Sequence, residues 1–168
     1  MPNPAVTLRP FESHDGPAVL ALNNASVPEL NELDAPEVAR LAGLAVSALV
    51  AEVDGVFAGF CWVLGPEQPY DSLNYRWFSS RYDAFVYLDR IAVHPDFRRH
   101  GIGRAFYAEL VHEFAPSCPV LLCEVNVRPM NEASVRFHQS LGFCEVGRQD
   151  TDGGHKTVSL LALELPPR

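Results

Sequence analysis

A chain of 168 residues is about one domain long, enough to bury a single core of its own. Hydrophobic residues make up 48% and charged residues 20%, an ordinary soluble globular composition. Twenty-one acidic against thirteen basic side chains leave a formal charge of −8, which opposes a nucleic-acid or anionic-membrane role because such binding draws on clustered Lys and Arg.

Residues 6–9 alternate and predict a short opening strand. Asp15 then offers an N-cap and Pro17 suits a first helical turn. Ala18, Val19 and Leu22 give that helix an apolar face ending near Asn23-Asn24. A second helix is predicted from about 36 to 44, with Val38, Leu41 and Ala45 at helical spacing. The segments 49–53 and 56–63 flank Asp54-Gly55, a strong short hairpin signal. Residues 65–84 read as a long aromatic-rich connection, and such loops in a compact domain are usually functional. A long central strand over 85–93 leads into a glycine-bearing basic loop. A helix over 105–114 then presents Phe106, Leu110 and Phe114 on one side and is stopped by Pro116. A buried strand is predicted over 120–125, and a helix capped by Asn131 carries the stripe Ala133, Phe137, Leu141. Gly142 is suited to a left-handed helix end, and a hairpin of 143–148 and 157–165 turns at Asp152-Gly153-Gly154. No repeat or linker breaks the chain, so one domain is expected over 1–168.

Cys61, Cys118, Cys123 and Cys144 form no CxxC pair and no Cys/His ligand spacing; Cys61, Cys123 and Cys144 lie in apolar strand-like runs and read as reduced core thiols, and no metal is expected. The N-terminus has no basic segment followed by an apolar run. No apolar stretch reaches the ~20 residues of a membrane helix, so a cytoplasmic protein without a membrane partner is expected.

The loop Arg98-x-x-Gly101-x-Gly103 is the sharpest feature. Gly101 and Gly103 lack the Cβ atoms that would hold a phosphate oxygen away from the backbone, while Arg98, Arg99 and Arg104 add positive charge. Strand, basic glycine loop and helix together gather backbone N–H groups at a helix start and point them at an anion, the geometry of a pyrophosphate cradle. The alternative is a plain strand-to-helix turn that happens to be basic. The loop is neither a P-loop nor the GxGxxG of a dinucleotide fold.

The run Ile91-Ala92-Val93-His94-Pro95-Asp96-Phe97-Arg98-Arg99-His100-Gly101-Ile102-Gly103 is followed in register by Asn131-Glu132-Ala133-Ser134 and Leu141-Gly142-Phe143. This pairing resembles the GCN5-related N-acetyltransferases (GNAT), and the order of elements matches across nearly the whole chain. The resemblance implies an α/β (α+β) fold, a single domain with a mixed, mostly antiparallel central sheet of about seven strands flanked by about four helices. It further implies acetyl-CoA as cofactor. The backbone of Arg99, His100, Gly101, Ile102, Gly103 and Arg104, with Arg98 beside it, would hold the coenzyme pyrophosphate. Ile91, Ala92 and Val93 would hold the pantetheine arm, and Asn131, Ser134 and Phe137 would meet the coenzyme from the following helix. The partner is then a small-molecule or peptide amine acceptor, and the chain a monomer or homodimer.

Such a reaction needs a neutral amine to attack a thioester, a place for developing charge, and a proton for the departing thiolate. Glu124 interrupts an apolar strand, shares a face with Leu122 and Asn126, and falls where some family members carry a catalytic glutamate; the alternative is a carboxylate paired with an Arg. His138 stands where many relatives place a tyrosine acid, and a histidine of ordinary pKa near ~6.5 is a competent donor. Asp89, inside the central strand, is either an ion-paired structural residue or a base or ammonium-binding group. Tyr70, Tyr75, Trp77 and Tyr82, with Asp71 and Asp83 nearby, suit an amine through cation–π and charge contacts; the alternative is that Trp77 and Phe78 plug a sheet edge or dimer interface. Direct attack in a ternary complex is expected, with Cys123 the one residue suited to an acyl-enzyme route. A second function class is an acyl-CoA-binding regulatory domain that has lost turnover.

Overall fold

The computed structural model describes residues 5–167 and forms seven strands and five α-helices among them. In chain order these are β1 (Val6–Pro10), α1 (Gly16–Ala25), α2 (Ala35–Leu44), β2 (Ser47–Val53), β3 (Val56–Leu64), α3 (Leu73–Ser79) and β4 (Val86–Val93). They continue as α4 (Ile102–Phe114), β5 (Val120–Arg128), α5 (Glu132–Ser140), β6 (Cys144–Thr151) and β7 (Lys156–Glu164). The strands form one sheet in the order β1-β2-β3-β4-β5-β7-β6. β4 pairs β5 in parallel at Val86↔Leu121 and Tyr87↔Leu122, whereas β1 with β2, β2 with β3, β5 with β7 and β6 with β7 are antiparallel. The mixed, mostly antiparallel seven-stranded sheet is the one expected; the helix count is five, not four, because α3 forms inside the stretch read as a loop. No described helix is long and apolar enough to cross a membrane.

Two compact units make up the described chain: residues 5–64 with 88–113, and residues 65–87 with 114–167. In the first, Asp54 and Gly55 take φ of 50° and 79°, so both turn residues are left-handed and match the twist of the β2–β3 ribbon. Asp15 stands at the N-cap of α1, but its carboxylate is spent elsewhere. It accepts two hydrogen bonds of 2.8 Å from the Arg9 guanidinium and one from the Glu12 N–H. α2 begins with a reciprocal cap, the Asp34 side chain accepting from the Glu37 N–H and the Glu37 side chain from the Asp34 N–H. Val19, Leu22, Val38, Leu41, Val50, Phe60 and Trp62 are buried in this unit.

In the second unit Ser72 caps α3 by accepting from the Tyr75 N–H. Asn131 caps α5 in the same way, through the Ser134 N–H, and Gly142 takes φ of 95° just past the helix end, both as the sequence predicts. Rings from α3 and the start of β4 interlock: Tyr75 lies 5.9 Å from Phe85 and 5.6 Å from Tyr87, and Phe78 lies 5.7 Å from Tyr87. β5 runs on to Arg128, three residues past its predicted end, beside β7.

Candidate active site

The basic loop is built from its anchors outward. A single turn of 3-10 helix, Pro95–Phe97, is capped by His94, whose Nδ1 accepts from the Asp96 N–H at 3.2 Å. His100 Nδ1 lies 3.0 Å from the Phe97 carbonyl and 3.1 Å from the Arg98 carbonyl, which ties the loop to that turn. Arg99 and Gly101 adopt φ of 68° and 77°, and Ile102 is buried where α4 starts. Arg98, Arg99, His100, Gly101 and Arg104 are exposed. The helix starts at Ile102, three residues earlier than predicted, so Gly103 and Arg104 belong to its first turn, where backbone N–H groups have no preceding turn to bond. A Cβ at Gly101 would meet nothing within 4 Å, so the approach to this backbone is open. An open, arginine-rich loop ahead of a thirteen-residue helix fits a pyrophosphate.

Upstream, on residues 88–93 of β4, Arg90 is 2% exposed and fully engaged on its three nitrogens. Nε donates to Asp89 Oδ2 at 2.8 Å, Nη1 to Asn23 Oδ1 at 2.8 Å and Nη2 to Asn31 Oδ1 at 3.2 Å. Asp89 therefore sits in a buried ion pair with its own neighbour, the structural alternative of its two readings. Ala92 is buried while Ile91 and Val93 are half-buried. Gly59 of β3 lies against the Ala92 carbonyl so closely that a Cβ there would stand 2.6 Å from the oxygen.

In the second unit, alternation along β5 puts Leu122, Glu124 and Asn126 on one face, and the parallel register Tyr87↔Leu122 puts Tyr87 on that face too. The Tyr87 hydroxyl lies 2.8 Å from both carboxylate oxygens of the half-buried Glu124. Tyr87 is fully buried beneath the α3 rings, so the hydroxyl donor is fixed in place. Tyr87 is not among the sequence-predicted site residues, because its place on the Glu124 face is set by the β4–β5 register and no local signal marks it.

His138 is only 5% exposed and packs between Phe137 and Phe143, with ring centroids 5.5 Å and 5.3 Å away. Its Nδ1 lies 2.7 Å from the Ser134 carbonyl and 3.3 Å from the Ser134 hydroxyl. Burial lowers its pKa, only partly offset by the hydrogen bond to the Ser134 backbone, so the ring is neutral at pH 7. That environment opposes the acid role expected of it. Cys123 is 1% exposed and alternates to the face opposite Glu124, which speaks against an acyl carrier; burial likewise pushes the Cys61 thiol up.

The aromatic stretch divides. Tyr70, Tyr75 and Tyr82 line a cavity of about 670 Å³ together with Phe85, Asp71 and Asp83. Trp77 lies apart from that lining. Its ring rests on Gly147 of β6, where a Cβ would come within 2.5 Å, and carries the Arg81 guanidinium 3.8 Å above it. Among the described residues, no group of three or more His, Cys, Asp or Glu side chains is arranged to hold a metal ion.

Residues 19–143 match the model of the acetyltransferase (GNAT) family. The chain belongs to that family. This GNAT chain is 31% identical over 121 residues to the L-amino acid N-acyltransferase MnaT of Escherichia coli, covering 72% of this chain and 62% of that protein. It is 35% identical over 82 residues to the [ribosomal protein bS18]-alanine N-acetyltransferase of Salmonella typhimurium, covering 46% and 55%. The match thus spans under two thirds of the length of these curated relatives. Among solved structures, the Salmonella typhimurium protein yncA, determined with its cofactor acetyl-CoA, superposes with a TM-score of 0.73. It covers 98% of this chain and 96% of that one at 23% identity, a likeness of fold.

Proposed function

We propose that this GNAT chain is an N-acetyltransferase that moves the acetyl group of acetyl-CoA to a primary amine by direct attack. The observation that carries the reading is the Glu124 carboxylate, standing in an apolar strand and held at 2.8 Å by a buried tyrosine hydroxyl. When bound, acetyl-CoA supplies the activated acyl group and a thiolate leaving group. The backbone of 99–104 would hold the pyrophosphate, the backbone of 91–93 would hold the arm, and Asn131, Ser134 and Phe137 would supply further coenzyme contacts. Glu124 takes the proton of the incoming ammonium, directly or through one water, which frees the nitrogen lone pair. Tyr87 orients that carboxylate by donating to it, and a carboxylate so held can still accept from an amine. Asp89 is tied up by Arg90 and serves β4 as a positioning residue, and His138 is assigned a packing role.

Cys61, Cys118, Cys123 and Cys144 are free thiols, which agrees with activity in the reducing cytoplasm. The second reading, a coenzyme-binding domain without turnover, draws on one observation: the residue at the acid position, His138, is buried. The test is kcat/KM of Glu124→Gln across pH. A loss of about 10²-fold or more with a flattened profile is expected; a profile identical to wild type removes Glu124 as the base.

A further inference from the structure

We propose that the cavity formed by residues 66–85 binds a positive charge carried by the acceptor at a distance from the amine that is acetylated. The preferred acceptor is then an amine with a second cationic group, such as a diamine or a basic peptide. The inference rests on the N-acetyltransferase reading and deepens it.

The walls are aromatic. Tyr70 stands edge-on to Tyr75 at 5.6 Å, Tyr75 edge-on to Phe85 at 5.9 Å, and Tyr82 closes the lining. The Tyr75 ring cannot swing away, because its hydroxyl donates to the Gly65 carbonyl at 2.6 Å and accepts from the Gln68 N–H at 3.0 Å. Tyr75 and Phe85 are buried and back the wall, and the half-buried rings of Tyr70 and Tyr82 are the ones placed to attract a cation. Charge points the same way: Glu67, Asp71 and Asp83 line the cavity against the single cation Arg76, which pairs with Asp71 at 3.3 Å. Three carboxylates and one guanidinium leave the lining two charges negative, on a chain whose net charge is already −8. About 670 Å³ suits a small aliphatic cation or a basic side chain.

The cavity is also wired to the candidate base. Tyr75 lies 5.6 Å from the Tyr87 ring, and the Tyr87 hydroxyl holds Glu124 at 2.8 Å. One ring thus forms both the wall of the cation cavity and the backing of the residue that orients the carboxylate.

The experiment measures thiol release from acetyl-CoA by the full chain with putrescine against n-butylamine, and with alanyl-lysine against alanyl-leucine. Wild type, Glu67→Gln/Asp83→Asn and Tyr82→Leu are compared. For wild type, kcat/KM for the dication is expected to exceed that for its monocation partner by about tenfold, mostly in KM, and to fall with added salt. The ratio is expected to collapse toward one in the double variant and to shrink in Tyr82→Leu. Preference within the dipeptide pair marks a peptide acceptor; preference confined to putrescine marks a small diamine. Equal kcat/KM within both pairs, or a ratio the double variant retains in full, overturns the proposal. If no amine releases thiol, the activity reading fails and the cavity is judged by amide NMR alone. Putrescine, but not n-butylamine, should shift the amides of 66–85 in wild type and not in the double variant; an unmoved segment overturns the cavity assignment.

Discussion

Gly59→Ala adds one methyl group where β3 meets β4, and the structure says what it hits. The new Cβ would stand 2.6 Å from the Ala92 carbonyl oxygen, 3.4 Å from Val93 Cα and 3.6 Å from Ala92 C, all backbone atoms. An acceptable C···O separation is about 3.3 Å, so β4 must retreat by about 0.7 Å in the segment proposed to hold the coenzyme arm. Overpacking of this kind costs about 1–3 kcal/mol. In a chain of this size that lowers Tm by about 2–12 °C. Displacement of the arm-binding backbone should lower acetyl-CoA turnover by about tenfold or more, since a shift near 1 Å can cost about 10²-fold. Gly43→Ala in α2 is the matched control: no heavy atom lies within 4 Å of its new Cβ. The better helix propensity of alanine should raise stability there by about 0.8–1 kcal/mol. Thermal melts and thiol-release kinetics read both variants. A Gly59→Ala protein that melts and turns over like wild type refutes the close approach and the role given to β4.

Arg90→Leu strips the buried Asp89 of its guanidinium and takes donors from Asn23 and Asn31, so a loss of about 3–5 kcal/mol in denaturant melts is expected. Asp15→Asn removes the carboxylate held by Arg9, costing about 1.5–3 kcal/mol at neutral pH. The Arg9 hydrogen bonds hold the Asp15 pKa below the ordinary carboxylate range. That stability is therefore full above ~3.9, is lost as pH falls toward the native value, and the wild-type advantage over Asp15→Asn should vanish in acid. The pKa of His138 is depressed by burial, so the unfolded chain takes up its proton first as pH falls. Stability is full above ~6.5 and declines below it, and urea midpoints of His138→Gln should fall less steeply between pH ~7 and ~5 than those of wild type.

Features set by local rules were legible in the chain. Asp54-Gly55 marks its hairpin because left-handed residues close that turn, Gly142 marks the end of α5 for the same reason, and Asn131 marks its start by a side-chain cap. α3 is not legible because its seven residues, rich in aromatics, show no helical period; its one signal is Ser72, whose hydroxyl caps the helix. Partners set by register were out of reach. Nothing local says that Tyr87 will donate to a carboxylate thirty-seven positions on, which follows only from the parallel pairing of β4 with β5. Asp89 and Arg90 are adjacent, and strand alternation sends neighbours to opposite faces, so their mutual ion pair runs against the pattern a sequence reader applies. Trp77 lies outside the cavity lining for a similar reason: its ring rests on Gly147, seventy positions away.

The central claim is acetyl transfer to an amine, and release of free thiol from acetyl-CoA by the full chain tests it most directly. The panel should hold amino acids, short peptides with free N-termini, and aliphatic mono- and diamines, with the acetylated product identified by mass. Amine-dependent thiol release that saturates in both substrates, with the new acetyl group on the acceptor nitrogen, is the expected result. Binding of acetyl-CoA with no thiol released above the rate in the absence of amine, across the whole panel, would contradict it.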